Sequence, residues 1–301
     1  MKSFGKRLLL LEFVFVMLFI TAACQKETAA PAQPKRVVAL TSSYADVWLN
    51  AGGKDTLVGV PKDAVEERNL DVNADITLFP SIQKVSAEEV LELKPDLVIT
   101  SADLKTHEEI AQLLEQNHVA VYRAKIENME EYLKTLKDFT EMTGKTERYK
   151  EYGADVKESI DALMAKLPKK RKDVSYLFLR GSSKLFTVQT GDTVATDILD
   201  EMGAKNVGAE AKLSKNVSIE SILSLNPDYL FVVYQGDKDA FEAQFDKQYT
   251  SQPAWQEIRA VKDGHLQMLD KYLFHYKPNA RWAESYKVLL QTLYPEIYGE
   301  K

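Results

Sequence analysis

The segment from Val85 to Ile99 (VSAEEVLELKPDLVI) returns 132 positions later as Val217 to Phe231 (VSIESILSLNPDYLF). Each copy carries a serine suited to cap a helix, an acid in the first turn, an apolar stripe, and a Pro-Asp stop that runs into a buried strand. A helix feeding a short continuous apolar strand is the unit of an α/β domain covered on both faces. Two copies in one register imply two similar lobes in one chain, and a duplicated lobe directs attention to the cleft between the copies.

The echo extends beyond the opening motif. Residues 53–59 (GKDTLVG) resemble 203–208 (GAKNVG), and short apolar strands alternate with amphipathic helices on both sides of the chain's middle. Residues 145–168 hold no proline before Pro168 and place Tyr149, Tyr152, Val156, Ile160, Leu163 and Leu167 at steps of three and four. This spacing predicts one amphipathic helix of roughly 33 Å, long enough to cross a small domain. The expected class is therefore α/β, with two similar lobes of mainly parallel sheet, over 36–144 and 169–301, joined by one long inter-lobe helix over 145–168. A continuous helix bends less readily than crossing loops, so the lobes are expected to move little against each other.

The first residues read as an export address. Lys2, Lys6 and Arg7 precede an apolar run from Leu8 to Ile20, and Thr21-Ala22-Ala23-Cys24 places small residues before the only cysteine. The segment 1–23 resembles a bacterial lipoprotein signal, which implies that Cys24 is acylated and becomes the first residue, anchored in the membrane and facing away from the cytoplasm. An uncleaved anchor is the alternative, but the apolar run is short for a span and carries Glu12. Residues 24–35, rich in Ala, Pro, Gln and Lys, suit a solvated tether. With Cys24 consumed, no thiol is left for disulfides or thiol catalysis. Loss of residues 1–23 makes the chain two charges more negative than its formal −6, which argues against a nucleic-acid partner.

Ligands of open α/β sheets sit beyond the carboxyl ends of the strands. Those ends carry Thr41, Ser42, Tyr44, Ser101, Arg123, Arg180, Tyr234 and the loop with Tyr272, His275 and Tyr276. Aromatics with arginines suit a bulky, flat ligand bearing negative charge. Four histidines, His107, His118, His265 and His275, show no paired metal-ligand spacing. His107 and His118 flank one helix and are expected to face solvent, and only His275 or the neighbouring Tyr276 lies where it could ligate a haem iron. No resident metal is expected. No nucleophile elbow, Ser-His-Asp order or paired-carboxylate cluster marks an enzyme, although a secreted enzyme or a surface sensor on the same scaffold stays as an alternative.

The lipoprotein-like signal, the two lobes with a single linking helix, the paired Glu-(x)6-Pro-Asp units and the closing Lys277-Pro278-Asn279-Ala280-Arg281-Trp282 pattern together resemble the helical-backbone substrate-binding proteins of ABC importers. The resemblance spans Lys35 to Pro295. It implies a monomer without catalysis that carries a ferric siderophore, haem or cobalamin to a permease dimer and its ATPase, with a chelated-iron ligand foremost. It also implies that Glu88 and Glu220, at matching places on the lobes, dock against permease arginines. The residues alone allow a second role, since either acid complements a helix N-terminus by about 0.3–1 kcal/mol.

Overall fold

A computed structural model describes residues 33–81, 84–215 and 217–299, so the signal segment, Cys24 and most of the tether lie outside the described residues. The strands β1 (Val37–Ala39), β2 (Leu57–Pro61), β3 (Thr77–Phe79), β4 (Leu97–Ser101) and β5 (Ala120–Ala124) form a parallel sheet in the order β3-β2-β1-β4-β5. A second sheet, ordered β10-β9-β6-β7, contains β6 (Ser175–Gly181), β7 (Phe186–Val188), β9 (Tyr229–Tyr234) and β10 (Leu266–Met268), with β8 (Lys205–Asn206) also paired to β6. Within it only β7 runs antiparallel. The two-lobed, mainly parallel architecture expected from the sequence is the one observed.

The strands are continuously apolar because both faces of each sheet are covered. In β1, Val37 and Ala39 enter one core while Val38 enters another, and in β6, Tyr176 and Phe178 part from Leu177 and Leu179 in the same alternation. The outer face of each lobe has a core of its own. The inner faces merge, so that Trp48, Tyr132 and Phe139 of the first lobe belong to one buried cluster with Tyr176, Trp282, Tyr286 and Leu289 of the second.

Each copy of the repeat forms the expected helix and strand. Ala87–Glu92 leads into β4 and Ile219–Leu225 into β9. Ser86 makes a reciprocal capping box with Glu89, at 3.2 and 2.8 Å, whereas Ser218 accepts the Ser221 N–H at 3.2 Å without a reciprocal bond to its own backbone. The Pro-Asp pair does more than stop a helix. Asp96 accepts the backbone N–H groups of Lys35 and Arg36, at 2.8 and 3.0 Å, and Asp228 accepts the N–H and hydroxyl of Ser175, at 2.8 and 2.7 Å. In both lobes the aspartate thus pins the entry of the neighbouring central strand.

The linking helix differs from the expected 145–168. Gly144, at φ 71°, caps the helix Met129–Thr143, and the Lys145 N–H closes back on the Thr140 carbonyl, so 145–147 are spent in turning. Helical backbone then runs over 148–164, as a π turn at Lys150–Ala154 followed by the α-helix Asp155–Met164. Residues 165–167 form a turn, consistent with the bias of residues before a proline away from helix. At Gly153 the helix passes so close to the first lobe that an added Cβ would lie 3.1 Å from the Leu136 side chain. Its other end packs on Trp282–Leu293, so the linker touches both lobes through an irregular turn rather than as one rod. No helix among the described residues is long and apolar enough to cross a membrane.

Candidate ligand cleft between the lobes

In the first sheet the chain leaves β1 toward β2 and leaves β4 toward β5, which opens a crevice at the carboxyl ends of β1 and β4. The turn after β1 fills it. Thr41 caps the helix Ser42–Asn50 by accepting the Tyr44 N–H at 3.2 Å, and the Ser42 hydroxyl donates to Asp63 at 2.6 Å. Tyr44 is buried, and burial pushes its phenol up while a hydrogen bond with Ser101 pulls the other way. Ser101 ends β4. Its N–H donates to Nδ1 of His107 at 3.0 Å, which makes His107 a fully buried brace of the strand end rather than the solvent-facing side chain expected.

The second lobe faces this crevice with Arg180, near the end of β6, and with the loop from His275 to Lys277. Two cavities, of about 250 and 290 Å³, lie side by side between the lobes. Thr41, Ser42, Tyr44 and Ser101 line the first and Arg180 the second. Glu127, His275, Tyr276 and Lys277 line both, so these four form the partition. Lys277 Nζ and Glu127 Oε1 meet across the lobes at 2.7 Å, with side-chain exposures of 21 and 19%.

Charge in the cleft is unevenly satisfied. Burial raises the Glu127 carboxyl, Lys277 draws it back down, and the adjacent Asp103 raises it again. Arg180 is half-buried, and no carboxylate of the described residues lies within ion-pair distance of its guanidinium. Burial lowers its proton affinity, with only the field of Glu127 opposing. Burial also holds the His275 imidazole down at about 4, aided by the positive charges of Arg180, Lys271 and Lys277. It is neutral at pH 7, and its buried Nδ1 has no hydrogen-bond partner among the described residues. Tyr276 is less available, since its hydroxyl donates to Glu67 at 3.0 Å.

Three of the expected site residues are placed elsewhere. Arg123 is clamped by Glu108 and Glu115, at 2.8 and 2.6 Å, on the helix Lys105–Gln116. Alternation along β5 turns it to that helix while Tyr122 turns to Phe139, and the strand continues to Ala124, so neither side chain crowns its end. Tyr234 stacks on Phe241 with ring centroids 5.6 Å apart, beneath the ammonium of Lys271. Tyr272 opens into a separate cavity of about 360 Å³ beside Arg68 and Arg281. Conversely, Glu127 escaped the sequence reading, and Lys277 entered it only at the end of the strand-end loop and the start of the closing pattern. Glu127 follows β5 just before the cap Asn128, a place visible once the strand's true end is known.

Beside the cleft, a polar clamp ties the lobes. Asp46 accepts from Arg68 at 2.7 Å and from the Asn279 amide at 2.8 Å, and the same amide donates to the Ser43 carbonyl at 2.8 Å. Arg68, with 7% of its side chain exposed, also reaches the Lys277 carbonyl at 3.3 Å. Lys271 pairs with Glu67 at 2.7 Å.

The periplasmic binding protein family matches residues 37–273, most of the chain, and the protein belongs to that family. Among curated relatives, a putative ABC transporter substrate-binding lipoprotein of Bacillus subtilis is 24% identical, the alignment covering 98% of this chain and 99% of the relative. A petrobactin-binding protein of the same organism is 27% identical over 81% of this chain and 77% of its own length. Among solved structures, a periplasmic heme binding protein from Pseudomonas aeruginosa shares the fold, with a TM-score of 0.69 at 24% identity over 88% of this chain and 94% of its own. Members of such a family bind and hand over substrates.

Proposed function

We propose that the protein is the extracytoplasmic binding component of an ABC importer and that it captures a chelated iron, foremost a ferric siderophore, between its lobes. The observation that carries this reading is the unpaired guanidinium of Arg180 in a cleft walled by both lobes, a site prepared for an anion. The relatives named above support iron chelates as the ligand class. Haem is the second reading, favoured by the neutral His275 imidazole in the lining of both cavities. Titration of the intrinsic fluorescence with ferric catecholates, ferric hydroxamates, haemin and cobalamin decides between them. Saturable quenching by an iron chelate is expected, and none by any of the four compounds would refute the assignment.

Anchoring and docking complete the proposal. Cys24 is read as the acylated attachment point, so Cys24→Ala is expected to leave the membrane fraction or to accumulate unprocessed. Glu88 and Glu220 are both exposed, each in the first turn of a helix that precedes a strand and so begins on the cleft side of its lobe. The capping duties at the first site belong to Glu89, which leaves Glu88 free for a partner. Glu220 is held below the usual carboxylate range by Ser218 and its own backbone N–H, and stays ionised. The double variant Glu88→Ala/Glu220→Ala is expected to keep its ligand affinity, lose little stability, and lose uptake in cells. Normal uptake with a lowered melting temperature would make both acids helix-terminal stabilisers only.

A further inference from the structure

The partition of the cleft is the feature that the functional reading leaves unexplained. Ligand pockets for molecules of drug size run from roughly 300 to 1,000 Å³, and neither half, at about 250 and 290 Å³, reaches that range by itself. A ligand too large for one half has to span both, and so to occupy the space where Glu127 and Lys277 meet. These residues sit on opposite lobes, Glu127 beyond β5 and Lys277 in the loop after the helix Lys271–Phe274, and each is mostly shielded from solvent. The carboxylate of Glu127 therefore already stands where an anionic group of the ligand would find a cation.

Resting on the proposed chelate-binding role, we infer that Glu127 is a specificity-determining latch: it occupies Lys277 in the empty cleft and yields it only to a ligand that carries its own carboxylate or catecholate. An anionic chelate exchanges one ion pair for another at Lys277 and adds a new one at Arg180. A neutral chelate has to part Lys277 from Glu127 and gives neither charge a replacement, which leaves two poorly solvated ions behind. Asp103 beside Glu127 raises the cost of parting the pair for any ligand, since the carboxylate released from Lys277 faces a like charge. The device acts as a filter for charge because the attractive residue is covered by a competitor from within the same molecule.

The test compares wild type, Glu127→Gln and Lys277→Gln for binding of two anionic probes, a ferric tris-catecholate and haemin, and one neutral probe, a ferric tris-hydroxamate. Glutamine keeps the shape of Glu127 and frees Lys277, so Glu127→Gln is expected to strengthen binding of whichever anionic probe the wild type takes by roughly three- to tenfold. Lys277→Gln should weaken the same probe, and should narrow the preference for anion over neutral chelate. Melting curves establish that each variant is folded before affinities are compared. An unchanged or weaker anion affinity in folded Glu127→Gln overturns the latch while leaving chelate binding intact. Failure of the wild type to bind any of the three probes overturns the chelate reading and the latch together.

Discussion

Replacing Asp46 by alanine is expected to cost about 3–5 kcal/mol of folding stability, the usual penalty for removing one partner of a buried ion pair. Arg68 is the reason. Its side chain is 7% exposed, its Nε and Nη1 have no partner among the described residues, and Asp46 is the only carboxylate there within ion-pair distance of it. The same substitution strips one of two acceptors from the buried Asn279 amide, which keeps the Ser43 carbonyl, and leaves Arg68 with the Lys277 carbonyl alone. Denaturant unfolding of wild type and variant measures the difference, and a loss under about 1 kcal/mol would show that water or relaxation replaces the carboxylate at little cost. Because the clamp joins a helix of the first lobe to the loop of the second, Asp46→Ala should also loosen the cleft. Hydrogen exchange at Ser43 and Lys277 reports that directly.

The second large effect belongs to Arg180, and its two readouts should move in opposite directions. Truncation to alanine removes the cation proposed to meet the ligand, and a charged partner lost from a desolvated site typically costs about 2–5 kcal/mol, or roughly thirty- to several-thousand-fold in affinity. The empty protein should gain or hold stability, because burial disfavours this guanidinium and only the field of Glu127, which makes no ion pair with it, opposes that. Such a pair of results identifies a residue kept for binding at the expense of folding. Unchanged affinity for every iron chelate that binds the wild type would sink this role for Arg180.

Much of the architecture was legible because local signals agreed with the global fold. Ser86 and Ser218 capped the helices that their spacing suggested, Gly144 closed the helix it follows, and the double-faced burial of β1 and β6 was written in continuous apolar runs. The candidate site was legible only in part. Thr41, Ser42, Tyr44, Ser101, Arg180, His275 and Tyr276 line the cleft since strand ends converge there by topology. Arg123, Tyr234 and Tyr272 do not, and the cause is orientation. Which way a side chain leaves a strand end depends on pairing register and on partners such as Glu108 or Phe241, far from it in sequence or unmarked by any motif. Non-local pairing also hid Glu127 and its tie to Lys277, since the two lie 150 positions apart and meet only when the lobes do. The Pro-Asp pairs show the opposite case, in which a visible motif had a second, invisible task as the staple of a distant strand.

The merged inner cores have a consequence for how long a ligand stays. Binding proteins whose lobes swing on loops can imprison a ligand, so that its escape waits for the gate to reopen. Here Trp48 and Phe139 share one packed interior with Trp282 and Tyr286, and sliding the lobes apart would break apolar packing as well as the polar clamp. Such a cleft offers little trapping, and residence time then rests on the contacts themselves. On the proposed function, delivery becomes a contest of affinities: whatever receives the cargo has to outcompete the contacts of the cleft, not merely wait for a door to open.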